Sequence, residues 1–203
     1  MSKPNPILHK AIAKGNLKSV QFWIKKGENI EGKNSDGQTA LHYAVSVNRL
    51  PIVEFLLQKG AKIDEKSKKG FTPLHFAVSK GYKQIVEMLI KHDANLEIDQ
   101  DPRLFSLLHI ATGKGFIEIV EMLITKGVKL DEKDAFGCTP LILAIFQGKS
   151  SMVAMLVRYG ASLKIRNEDG FTPLEVALIL DVFSWNPQQK LNSIKVLIYR
   201  EMM

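Results

Sequence analysis

Four of the five histidines, His9, His42, His75 and His109, recur at separations of 33, 33 and 34 residues, and such a ladder of imidazoles invites a metal-binding reading. A metal site needs ligands that converge within about 2.0–2.2 Å of one ion, whereas residues one period apart are held about 8–10 Å apart by packed helices. Hydrogen bonds between adjacent units are therefore the expected role of each ring. His92 reads as a solvated or helix-capping residue. Cys138, the single cysteine, excludes an internal disulfide or a CxxC pair and would be a nucleophile only beside a base. No GxSxG, HExxH or GxxxxGK(S/T) phrase occurs. Asp64-Glu65, Asp131-Glu132 and Glu97 with Asp99 alternate with Lys62, Lys66 and Lys133, which reads as a solvated face with incidental ion pairs. The expectation is a chain without catalytic, metal-binding or cofactor-binding residues and without a small-molecule substrate, hence not an enzyme.

The chain has 203 residues, of which 45% are hydrophobic and 24% charged, enough to bury a substantial core. No run approaches the length of a membrane span, and the start MSKPNPILHK has no apolar stretch suited to a secretory signal, so a cytoplasmic location is expected. The net charge of +7 is unevenly spread: residues 1–33 carry seven Lys against two acids, and residues 134–166 carry four basic residues against one. The basic residues are 23 Lys and five Arg, whereas base reading and bidentate phosphate clamping favour Arg. This argues against nucleic acid as the partner, leaving only non-specific, salt-sensitive association as a third reading.

The elements that position these residues follow from a repeat. Leu8, Leu41, Leu74, Leu108, Leu141 and Leu174 open related phrases at separations of 33, 33, 34, 33 and 33. Second phrases follow: SVQFWI, IVEFLL, IVEMLI, IVEMLI and MVAMLV, then SIKVLI eight residues late. Thr39, Thr72, Thr139 and Thr172 can cap a first helix, with Pro73, Pro140 and Pro173 at its opening position. Gly15, Gly81, Gly115 and Gly148 end that helix, Gly27, Gly60, Gly127 and Gly160 end the second, and Asp36-Gly37 or Asp169-Gly170 makes the tight turn between units. Helices this short must bury their apolar faces on neighbouring units.

The stretches DGQTALHYAVS…IVEFLLQKGAKID and KGFTPLHFAVSKG…IVEMLIKHDANLE resemble ankyrin repeats, and the resemblance covers about residues 5–200. It implies an all-α repeat solenoid of stacked antiparallel helix pairs with β-hairpin fingers. One repeat domain is expected over residues 1–203, with units at about 1–33, 34–66, 67–99, 100–133, 134–166 and 167–203. The departures are a first unit without a finger, the altered phrase DPRLFSLLHIA at 101–111, Ile142 and Glu175 in place of the motif His, and an insertion at 182–190. That insertion, with Phe183 and Trp185, is expected to fold back as a lid, or else this end docks on a further domain or on a second copy. A monomer is favoured, with association through the C-terminal unit as the other outcome.

The resemblance also implies a concave face of fingers and first helices that binds a partner protein. Carried over by register, its residues are Lys68, Lys69, Phe71 and Lys80 in the third unit and Arg103, Leu104, Phe105 and Lys114 in the fourth. Phe136, Cys138 and Phe146 follow in the fifth, and Phe171 in the sixth. Aromatic anchors ringed by basic residues fit a protein segment with apolar and acidic side chains, and Arg103 beside Phe105 has the composition of a hot spot. Phe71 and Phe171 also suit plain packing along the finger. The alternative is the targeting or recruiting part of a larger enzyme, or of a bacterial effector working in a host cytoplasm or nucleus, a class that Lys-heavy, Arg-poor single-array ankyrin proteins resemble.

Overall fold

A computed structural model describes residues 6–97 and 105–183. Among these the regular elements are all helical: α1 (Pro6–Ala13), α2 (Leu17–Lys25), α3 (Ala40–Ser46), α4 (Leu50–Gln58), α5 (Pro73–Lys80), α6 (Lys83–Lys91), α7 (Leu107–Lys114), α8 (Ile117–Thr125), α9 (Pro140–Phe146), α10 (Ser150–Arg158) and α11 (Pro173–Phe183). The fold is an all-α repeat solenoid in which short first helices alternate with second helices. The chain divides into two compact units, residues 1–95 and 96–203. In the first, α3 packs on α1, α4 and α5; in the second, α9 packs on α7, α10 and α11.

The first helices α3, α5, α7, α9 and α11 are each opened by a hydroxyl residue, and in most of them the side chain three places on returns a bond. The backbone N–H groups of Thr39 and Thr72 donate to Nδ1 of His42 and His75 at 3.2 and 3.1 Å. Such caps contribute about 1 kcal/mol each. In α11 Glu175 does the same work, accepting from the Thr172 N–H at 2.7 Å and hydroxyl at 2.8 Å. These bonds, with Arg166, hold its carboxyl below the usual range, so this substitution keeps the capping box. Ile142 instead fills its place as a fully buried apolar residue while Thr139 still caps through its hydroxyl. Ser106 caps α7 in the register of the missing Thr. First helices end on left-handed Gly81 and Gly115, but after α3 Asn48 takes that conformation with φ of 55°, and after the second helix α6 Asp93 does so with φ of 60°.

The phrase leucines form the core of each unit. Leu8, Leu41, Leu74, Leu108 and Leu141 are buried with Ile52, Ile85 and Leu123 from second helices, and full burial of each contributes about 1.5–3 kcal/mol. Thr112 is fully buried in the second unit, and its hydroxyl has no hydrogen-bond partner among the described residues. Asp64 and Asp131, taken above as surface charge, instead tie repeats together, as does Glu31. Glu31 accepts from the Lys62 N–H, Asp64 from that of Asn95 and Asp131 from that of Ser162, each at 2.9 Å across 31 residues. The first unit's outer face is less wet than its lysines suggest, since Ile7 and Phe22 are 42% and 51% exposed.

Candidate functional site

The fingers between units are tight turns, and among the described residues none is a strand, which corrects the expected β-hairpins. Each described turn closes by a backbone bond from its first residue, Asn34 N–H to the Gln38 carbonyl, Ser67 to Phe71, Asp134 to Cys138 and Asn167 to Phe171, at 2.9–3.0 Å, and by a second from the turn glycine N–H back to the first residue's carbonyl, at 2.9–3.0 Å. A side chain at the first position locks the turn from inside. Asn34 Oδ1 accepts from Asp36 and Gln38, Asp134 Oδ1 from Phe136 and Cys138, Asn167 Oδ1 from Phe171, and Ser67 Oγ from Phe71. These are Asx-type turns, in which a short polar side chain replaces a strand partner. Sequence reasoning missed them, although Asn34, Ser67, Asp134 and Asn167 keep the repeat's register.

Adjacent fingers are joined by single rungs. The Lys68 N–H donates to the Asp36 carbonyl at 2.9 Å in the first unit, and the Glu168 N–H to the Phe136 carbonyl at 3.1 Å in the second. Gly37 and Gly137, with φ of 74° and 68°, permit these rungs, because a Cβ there would stand 2.7 Å from the Lys68 or Glu168 nitrogen.

Histidines hold the fingers from below. His42 Nε2 donates to the Phe71 carbonyl and His109 Nε2 to the Cys138 carbonyl, both at 2.9 Å. Their Nδ1 atoms accept from the Thr39 and Ser106 hydroxyls at 2.9 and 2.7 Å, which fixes the neutral Nε2–H tautomer. Burial lowers the pKa of both rings. The buried Nε2 of His75 has no hydrogen-bond partner among the described residues, and burial pulls its pKa down to about 4. His9 lies against the Tyr43 ring, with centroids 5.3 Å apart.

The residues assigned to a partner surface fare unequally. Lys68, Lys69 and Lys80 in the first unit and Lys114 in the second are exposed. Phe105, Phe136, Phe146 and Phe171 are 45%, 67%, 47% and 39% exposed. Phe71 is half-buried, with its ring against His75 and Phe76. Cys138 must be withdrawn as a contact: its short side chain tucks beneath the turn, 7% exposed, with Sγ 3.8 Å from the Phe136 carbonyl oxygen. Burial pushes its thiol up to about 11, the reverse of what a nucleophile needs. Arg103 and Leu104 lie outside the described residues, as do residues 184–203, and with them most of the rewritten fourth finger and of the insertion.

The second unit also holds an open cleft of about 530 Å³, lined by Gly115, Ile117, Gln147, Gly148, Lys149, Ser150, Ser151 and Met152. Lys149 is committed to the end of α7, donating to the Thr112 and Gly113 carbonyls at 2.9 and 2.6 Å. Arg49 does the same for α1 through the Ala13 carbonyl, at 3.1 Å. Among the described residues no group of three or more His, Cys, Asp or Glu side chains is placed to hold a metal ion, and no helix is long and apolar enough to cross a membrane.

Thr-capped first helices, finger turns on a 33-residue period and imidazole braces define a repeat protein of the ankyrin class. The chain belongs to that family: a family model for ankyrin repeats in three copies matches residues 8–100 and again 108–200. Ankyrin repeats are protein-interaction modules. No curated protein matches the sequence. Among solved structures the chain is similar to one in the complex of the Bd0816 predatory endopeptidase from Bdellovibrio bacteriovorus with the immunity protein Bd3460. The two are 27% identical with a TM-score of 0.80, over 98% of this chain and 100% of that one.

Proposed function

We propose that this chain binds and restrains a peptidase, and that the aromatic finger and first-helix surface of its second unit makes the contact. The observation that carries the reading is the exposure of Phe105, Phe136, Phe146 and Phe171, at 39–67%, among residues 105–183. Clustered exposed aromatics with a polar rim mark binding surfaces, and aromatic side chains dominate interface hot spots. The peptidase as partner is supported by the likeness, over nearly the full length of both chains, to a chain in an endopeptidase–immunity protein complex. Lys68, Lys69 and Lys80 offer the first unit a separate basic surface, suited to acidic residues of a partner, and Lys114 adds a cation to the second unit.

The test is depletion of peptidase activity. Resin carrying the full chain should remove a casein-hydrolysing activity from extract of the source cell, and the free chain should inhibit that activity. The triple variant Phe105→Ala, Phe136→Ala, Phe146→Ala should keep its circular dichroism and lose both effects. Unchanged activity after depletion rules out the peptidase; depletion by the triple variant as strong as by the parent moves the contact elsewhere.

A further inference from the structure

Resting on that reading of a protein partner, we propose that the finger at residues 134–138 is a preformed anchor that enters its partner by the Phe136 side chain, and that it fits an apolar pocket rimmed by basic groups. Phe136 is 67% exposed, more than any other large hydrophobic side chain described. Its backbone is already spent: the N–H donates to Asp134 Oδ1 at 2.9 Å and the carbonyl accepts from the Glu168 N–H at 3.1 Å. A partner therefore gains nothing by pairing a strand with this residue. The ring stands on a turn whose ordering cost was met on folding, which favours insertion into a pocket.

The charge beside the ring is negative, in a chain whose net charge is +7. The Glu168 side chain lies over Gly137, its Cγ 3.1 Å from where a Cβ would be. Asp134 and Asp169 bring the carboxylates of these two fingers to three, against Lys133. The next cation, Arg166, is held at the base of the second finger, donating to the Gly170 carbonyl at 2.6 Å, and its charge is paired with Glu175 at 2.9 Å. Surface charges contribute little singly but decide which rim is tolerated around an apolar pocket. The acidic segment expected as partner from the lysines thus does not suit this finger; a basic rim does.

Two cyclodextrins supply the apolar cavity with either rim: per-amino β-cyclodextrin is cationic and sulfated β-cyclodextrin anionic. Titrated into the isotope-labelled full chain and followed by NMR, the amino form should shift the Phe136 ring and the Gly137 and Glu168 amides. It should do so with an affinity about three- to tenfold above that of the sulfated form at low salt. Glu168→Lys should erase or reverse that preference with the dichroism unchanged, and Phe136→Ala should abolish the shifts at this finger. Equal or better binding of the sulfated form overturns the basic rim. Shifts at Phe105 or Phe146 without Phe136, or none at any of the three, overturn the anchor. The peptidase reading fails separately, in the depletion assay.

Discussion

In the finger at residues 34–38, Asn34 Oδ1 accepts from two backbone N–H groups at 2.9 and 3.0 Å; in that at 134–138, Asp134 Oδ1 accepts from the equivalent pair, both at 2.9 Å. The carbonyl before the turn glycine takes a rung from the next finger in each, from Lys68 and from Glu168. Beneath the second finger His109 Nε2 holds the Cys138 carbonyl, whereas in the first unit His42 Nε2 holds Phe71, in the finger that follows. The tips are nevertheless opposite in kind. Asp36 is replaced by Phe136, and Lys68, whose Cγ lies 3.0 Å from the Cβ direction of Gly37, is replaced in that slot by Glu168. A frame satisfied by backbone bonds and one Asx side chain leaves the tip side chains without structural duty, so their chemistry is free to suit a partner.

Acid should strain the frame most. His42, His75 and His109 each have a pKa lowered by burial, so the folded chain resists protons that the unfolded chain accepts below about pH 6.5. Stability should be full above that pH and fall as the pH drops toward about 4, where His75 titrates in the folded state. His75 alone accounts for a loss on the order of 3 kcal/mol. Urea denaturation at pH 7.5 and 4.5 measures this; if His75→Gln leaves the pH dependence unchanged, burial of that ring is not its source.

The next effect tests the likeness of the two fingers directly. Gly37→Ala and Gly137→Ala each place a Cβ against a backbone nitrogen at positive φ and should each cost about 2–3 kcal/mol in urea unfolding. Unequal losses would show that the frames differ. The smallest stability effect belongs to the tips: Phe136→Asp, which copies the first unit's tip, should change stability by no more than about 0.5 kcal/mol. The same variant should abolish the peptidase depletion proposed above. A large loss of stability would make Phe136 a packing residue and end the contrast.

The frame was largely legible in the chain and the surface was not, for one physical reason. Thr72, Pro73, Leu74 and Gly81 each answer to a local rule of capping, helix entry, burial or helix exit, and a fixed period repeats those rules. Exposure follows no local rule. Phe71, Phe105, Cys138 and Phe171 share one register, yet Phe71 is half-buried against His75 and Phe76, Cys138 is 7% exposed, and Phe105 and Phe171 are 45% and 39% exposed. Side-chain length and the neighbour's shape decide each case. The Asn34 and Asp134 locks and the Asp64 and Asp131 staples escaped because a short acid or amide reads equally as solvated until its acceptor geometry is seen. The rewritten fourth finger with Arg103 and Leu104 falls outside the described residues, and the candidate surface rests instead on Phe136.

The carboxylate staples change what folding of one repeat means. Because Asp64 holds the amide of Asn95, and Asp131 that of Ser162, each at 2.9 Å, a repeat is not finished until its successor has arrived. Within each unit, then, an end repeat that frays releases an acceptor on the one before it, and loss spreads inward as a zipper opens. The amides of Lys62, Asn95 and Ser162 are the teeth: their hydrogen exchange should report the opening of a neighbouring repeat.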